Sequence, residues 1–141
     1  MTTKFPDYVP AGLILKSIEE TVSLSGTAAA SFSLANTIPA EAVVVSAAMV
    51  LNLPAGGATS TKVGLGRVTA TADPDKYLLT ADKTASTKRG LQNQWGAPLA
   101  AAETIGVFAC DNAGAAAGTI GGVPGLTAIV NIVYALPDTT N

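Results

Sequence analysis

Leu126-Thr127-Ala128-Ile129-Val130-Asn131-Ile132-Val133-Tyr134-Ala135-Leu136 is the stretch that decides the fold. Its residues alternate in character with a period of two. Leu126, Ala128, Val130, Ile132, Tyr134 and Leu136 fall on one side, which is the pattern of a strand and not of a helix. Isoleucine, valine and tyrosine are also the residue types that fit a pleated, half-buried surface.

Working outward, the same signal recurs. Val43 to Leu51 is the strongest strand elsewhere in the chain. Val43, Val45, Ala47, Met49 and Leu51 are expected on one face, with Val44, Ser46, Ala48, Val50 and Asn52 on the other. Both faces are mostly apolar, so the strand is expected to be central or covered on two sides. Ala28, Ala30, Phe32 and Leu34 alternate with Ala29, Ser31, Ser33 and Ala35. Thr61 to Thr69 places Val63 and Leu65 inward, with Gly64 and Gly66 leaving room for a close backbone approach or a bend. Glu103 to Cys110 puts Ile105, Val107 and Ala109 on one side. Leu13 to Leu24 is apolar but out of phase: Leu13 and Leu15 oppose Ile18, Val22 and Leu24. A bulge or bend near Ser17 would reconcile the two halves.

The remaining segments read as connections. Ser25-Gly26-Thr27, Asn36 to Glu41, Pro54 to Ser60, Asp73-Pro74-Asp75 and the Gly/Ala-rich Asp111 to Gly125 carry turn and loop residues. Residues 76 to 98 are the least regular part, and Ala97 to Glu103 could form a helical turn or two. No segment sustains a 3.6-residue period. Six to eight strands with Gly-rich turns predict an all-β, single-domain antiparallel β-sandwich, jelly-roll-like in style. Residues 11–137 would form the sandwich and 138–141 a polar tail. Residues 1–10 hold Pro6, Pro10, Phe5 and Tyr8 without periodicity, and read as an extended N-terminal arm.

Composition narrows the function. The chain has 141 residues, of which 48% are hydrophobic and only 13% charged. That is about half the charge of an ordinary soluble domain, so much of the surface is neutral and suited to packing against other chains. Net charge is −2, and among the eight Lys and Arg only Lys88 and Arg89 are adjacent. Nucleic-acid binding, which needs clustered cations, is not expected. A signal peptide is not expected, because Met1 to Asp7 holds no apolar run, nor is a membrane span, because no apolar stretch approaches the required ~20 residues.

Histidine is absent, which removes the commonest general base and most zinc sites. The adjacent Glu19 and Glu20 would point to opposite faces of a strand, and the other acids are scattered. The chain is therefore not expected to be an enzyme or to need a cofactor. Cys110, the single cysteine, reads as a small buried hydrophobe. Asp73, Asp75 and Asp82 could offer oxygen ligands to calcium, but the Asp-Pro sequence reads more simply as a polar turn. Gln92-Asn93-Gln94-Trp95-Gly96 combines amides with an aromatic. Such a group can hold a sugar, or anchor a subunit interface, where Trp is enriched. The residues singled out as interface candidates are Lys4, Phe5, Tyr8, Gln92, Gln94 and Trp95.

The order of these signals resembles the small β-sandwich structural proteins of tailed-bacteriophage virions. The resemblance runs over residues 25 to 136. It comprises Ala28 to Leu34, the proline entry Ile38-Pro39-Ala40, the strand from Ala42 to Leu53, Lys62-Val63-Gly64-Leu65-Gly66, the Asp-Pro-Asp-Lys-Tyr-Leu turn at 73 to 78, and Ala128 to Tyr134. The N-terminal arm has no counterpart in that pattern. The resemblance implies a capsid decoration (cement) protein, made in the host cytoplasm and carried on the capsid surface. Such a protein would form a homotrimer and cross-link neighbouring major capsid subunits. An alternative is a receptor- or glycan-binding module of a phage fibre or tail.

Overall fold

A computed structural model describes residues 12–52, 57–83, 87–90 and 97–137, with the backbone alone described for 87–90. Eight strands follow one another: β1 (Leu13–Ser23), β2 (Ser31–Ile38), β3 (Val43–Asn52), β4 (Lys62–Arg67), β5 (Asp73–Leu79), β6 (Thr87–Gly90), β7 (Glu103–Cys110) and β8 (Thr127–Pro137). They form two four-stranded antiparallel sheets, ordered β1-β8-β3-β6 and β2-β7-β4-β5. The chain is thus an all-β, antiparallel β-sandwich. Each of the first four strands pairs with its counterpart from the other end of the series, β1 with β8 and β2 with β7, then β3 with β6 and β4 with β5. Consecutive pairs fall alternately in one sheet and the other, as in a long antiparallel ribbon wound over itself.

The alternation of β8 holds from Ala128 to Ile132; beyond it Tyr134 and Leu136, expected inside, are half-buried, and Ala135 on the opposite side is buried. Ala128, Val130 and Ile132 are fully buried, whereas Ile129 is 44% exposed. β1 runs beside it in unbroken register from Leu13↔Pro137 to Ser23↔Thr127. No bulge interrupts β1 near Ser17, contrary to the expectation. Its phase conflict is resolved differently: Ile18 and Val22 enter the core, and the opposite set containing Leu13 and Leu15 stays outside.

The irregularity sits in β3 instead. The register passes from Val44↔Tyr134 to Ser46↔Val133, leaving Val45 as the extra residue of a bulge. A one-residue slip exchanges the two faces of a strand. Val44 is therefore buried on the near side of the bulge, and Ala47, Met49 and Leu51 beyond it, so Val43 and Val45 do not share the core face with Ala47. β3 is central, between β8 and β6, yet its Val50 remains 36% exposed among the described residues.

The second sheet behaves otherwise. Val63, Leu65, Leu78, Ile105, Val107 and Ala109 face the first sheet across one continuous core. On the far face, Gly64 and Gly66 lie under the chain of β5. A Cβ on Gly66 would stand 2.0 Å from the Asp73 carbonyl oxygen, and one on Gly64 2.4 Å from that of Pro74. This is the close backbone approach that the glycines predict. It also corrects the reading of Asp73-Pro74-Asp75 as a free turn: these residues begin β5, where the register with β4 shifts between Leu65 and Arg67. Asn36 to Ile38, expected as loop, extends β2. Ala97 to Ala102 makes no helix, and Leu99 is pinned by its N–H to the Ala42 carbonyl at 2.9 Å. The Asp111–Gly125 connection is long, as expected, but Ile120 bridges to Ala29 and to Ala58 and is fully buried.

Candidate functional site

The two outer faces of the sandwich differ in what covers them. On the second sheet, β5 lies over Gly64 and Gly66, and a Cβ on Gly106 would meet the Val68 side chain at 2.6 Å. Phe108 and Cys110, which share that face, are consequently buried. Burial pushes the Cys110 thiol up to about 12, with the Asp75 and Asp111 charges adding to it. It is an inert side chain and not a nucleophile, in keeping with the reading of a small buried hydrophobe.

The outer face of the first sheet has no such cover among the described residues. Register places Ser17, Glu19, Thr21 and Ser23 of β1 beside Val133, Asn131, Ile129 and Thr127 of β8. Ser46, Ala48, Val50 and Asn52 of β3 follow on the next strand. Leu13 and Leu15 continue the face at one end and are 66% and 65% exposed. Across these three strands Glu19 is the one ionisable side chain on the face. At its middle, Ala48 is flanked by larger side chains, and a shallow depression of about 340 Å³ opens between Glu19, Ala48, Val50, Ile129 and Asn131. Large exposed apolar side chains grouped on one sparsely charged face suit a contact surface.

β1 is the edge strand beside this face. Its Glu20 leaves the first sheet and serves the second. The Glu20 carboxylate accepts the Ala35 N–H at 2.6 Å, the Asn36 N–H at 3.2 Å and the Asn36 side-chain amide at 3.1 Å. Those N–H groups belong to the irregular stretch of β2 between Ser33 and Thr37, where the ladder with β7 shifts. Burial pushes the Glu20 carboxyl up, but the three hydrogen bonds outweigh it and hold the group below its ordinary value. Glu20 thus closes one side of the sandwich by supplying acceptors that the ladder lacks.

A second polar feature lies inside. Lys76 and Glu103 are 6% and 5% exposed. The Lys76 ammonium donates to both Glu103 carboxylate oxygens, at 3.0 Å to Oε2, and Tyr77 Oη donates to the same Oε2 at 2.6 Å. Arg67 Nη1 stands 3.7 Å from Oε1. Burial, and then the bond to Glu103, pushes the Tyr77 hydroxyl well above the ordinary tyrosine range. The cluster floors a half-open pocket of about 290 Å³ whose walls include Thr69, Pro98, Leu99 and Ala101. Every Glu103 oxygen is engaged by a donor, so it is occupied as a structural counter-ion. Sequence reading missed this cluster because Lys76 followed an apparent turn. The available signal was a charge embedded in each of two apolar runs, Lys76-Tyr77-Leu78-Leu79 and Glu103-Thr104-Ile105.

Asp73, Asp75 and Asp82 are not drawn together as a ligand set. Asp75 is grouped with Asp73 and with Asp111 from the β7–β8 connection. Burial, then the Asp73 charge, raises the Asp75 carboxyl, with Asp111 adding less. Among the described residues, no group of three His, Cys, Asp or Glu side chains could hold a metal ion. The interface candidates Lys4, Phe5, Tyr8, Gln92, Gln94 and Trp95 lie outside the described residues. The outer-face residues Val50 and Ile129, which the structure exposes, were read from sequence only as one side of their strands.

Comparison with protein-family models finds no match, and neither does comparison with the curated proteins. Among solved structures, the chain is similar to one described as the acidic stable capsid structure of Helicobacter pylori bacteriophage KHP30. The TM-score is 0.49 with 13% identity, over 88% of this chain and 94% of that one.

Proposed function

We propose that this chain is a non-enzymatic structural protein of a bacteriophage virion, a decoration protein that packs on the outer capsid shell and ties neighbouring subunits together. The observation that carries the reading is the outer face of the β1-β8-β3-β6 sheet, which no other element covers among the described residues. It presents Leu13, Leu15, Val50 and Ile129 to solvent, and among the described residues its ionisable positions are Glu19 of β1 and Lys88, which stands opposite Ala48 on β6. Burying such a face on a partner removes apolar surface from water at about 25 cal/mol per Å².

The winding of the strands supports the same reading. We take the order β1-β8-β3-β6 and β2-β7-β4-β5 as that of a jelly roll, an architecture found in capsid and lectin domains. Architecture alone does not choose between those functions. The choice rests on the apolar face and on the resemblance of the strand series to small virion proteins. Repeated modest contacts, each made intramolecular by the first, would give the avidity a shell needs.

The test adds purified protein to capsids that lack it and follows their rupture on heating. The expected result is a higher rupture temperature, abolished by Ile129→Asp and Val50→Asp in protein that still folds. Capsids that rupture at the same temperature with and without saturating protein would overturn the proposal.

A further inference from the structure

The pocket beside the buried Lys76–Glu103 pair is lined by more positive charge than negative. We infer that it is a binding site for a carboxylate group, gripped by the Arg67 guanidinium. The site belongs to the second sheet and stands apart from the contact role proposed for the outer face of the first.

Charge gives the first argument. Among the groups lining the pocket, two cations, Arg67 and Lys76, share one carboxylate, that of Glu103. Glu103 is already engaged: Lys76 donates to both its oxygens, and Tyr77 donates to Oε2. Arg67 Nη1 stands 3.7 Å from Oε1, beyond hydrogen-bond reach. Asp73 is opposite Arg67 in the register but forms no ion pair with it among the described residues. The lining is left with one positive charge in excess, which a monoanion cancels. Lys76 is buried, so part of that field acts through protein and not through water.

Hydrogen-bonding capacity gives the second. The Arg67 Nε–H is spent on the Thr71 carbonyl at 2.8 Å, which holds the guanidinium in place. Its terminal N–H groups make no hydrogen bond among the described residues, although the side chain is only 30% exposed. Thr69 Oγ1 accepts the Thr104 N–H at 3.1 Å, which leaves its hydroxyl hydrogen to donate. Arg67 and Thr69 both line the pocket. Its side chains thus offer donors, and their one carboxylate is occupied. An ionised carboxylate accepts only, and its two oxygens match the guanidinium fork. An ammonium would find no free carboxylate to receive it.

Size and lining give the third, and they choose the kind of anion. The pocket holds about 290 Å³, and its other walls are Pro98, Leu99 and the alanines at 100 to 102. These walls are small and apolar. They suit a carboxylate on a short hydrocarbon stem, as in a short-chain organic acid or an Asp or Glu side chain of another protein. Inorganic phosphate has no apolar part to cover them.

The experiment titrates sodium butyrate into 15N-labelled full-length protein at pH 7 and constant ionic strength. Backbone amides and the Arg67 Nε–H are followed by NMR, with butyramide, butylamine and inorganic phosphate as matched probes. Saturable shifts centred on Arg67, Thr69 and the alanines at 100 to 102 are expected with butyrate, and none with butyramide or butylamine. Arg67→Gln should weaken binding about tenfold or more, the loss of a charge-assisted contact, while melting at the wild-type temperature. If that variant does not fold, Thr69→Val takes its place, with an expected loss of about threefold. The blocked tripeptide Ala-Glu-Ala separates the two sources. Tighter binding than butyrate assigns the site to a protein side chain and weaker binding to a free acid, and both sustain the inference. No saturable shift with either ligand, equal shifts with butyramide, or tighter binding of phosphate would overturn it.

Discussion

Replacing Glu103 by Gln tests the interior of the sandwich most directly. The carboxylate accepts from Lys76 and Tyr77 and stands 3.7 Å from Arg67. The substituted side chain would keep the size but lose the charge, and its amide would turn a donor toward donors. Lys76, 6% exposed, would then be a buried cation without its counter-ion. Breaking a buried pair from one side costs about 3–5 kcal/mol, against a total stability of about 5–15 kcal/mol for a domain. At this chain length each kcal/mol moves the melting temperature by about 3–4 °C, so a fall of roughly 10–20 °C is expected. Urea titration monitored by Trp and Tyr fluorescence, with calorimetry, would measure it. The double variant Lys76→Met/Glu103→Leu removes both charges and should recover most of the loss, because an apolar pair of similar volume replaces a desolvated ion pair at little cost. A Glu103→Gln cost under about 1 kcal/mol would refute the reasoning, since that is the behaviour of a solvated surface pair.

Three further outcomes follow from the same coordinates. Gly66→Ala should destabilise by about 2–3 kcal/mol or more in urea unfolding, because the added Cβ meets backbone of Asp73 and Pro74 and no side chain can move aside. Asp75→Asn should raise the melting temperature at pH 7. An acid whose folded pKa is raised opposes folding above that pKa, so the gain should vanish as pH falls below the unfolded value of about 3.9; a gain independent of pH would contradict this. Cys110 should resist a maleimide at pH 8 in the native protein and react fully in guanidinium, as its burial and a thiol pushed up to about 12 require.

Local pattern carried a great deal. The period-two alternation of β8 and of Glu103–Cys110, and the glycines at 64 and 66, announced an all-β sandwich with a close backbone crossing. Those signals are legible because burial on one face of a strand writes itself into every second residue. Absent histidine and sparse charge likewise bounded the chemistry without any coordinates.

What sequence could not supply depends on which strand lies beside which. The phase of β1 is ambiguous in sequence, and only the unbroken register with β8 puts Leu13 and Leu15 outside. The Val45 bulge is invisible in a run of valines, because the slip is set by the partner strand and not by the run itself. Lys76 and Glu103 are 27 residues apart, and no local signal joins them. Only the tertiary structure decides that the start of β5 covers the outer face of one sheet while the other, among the described residues, leaves Leu13, Leu15, Val50 and Ile129 exposed. The physical reason is that periodicity records whether a residue is buried, whereas the neighbour that buries it is a property of the fold.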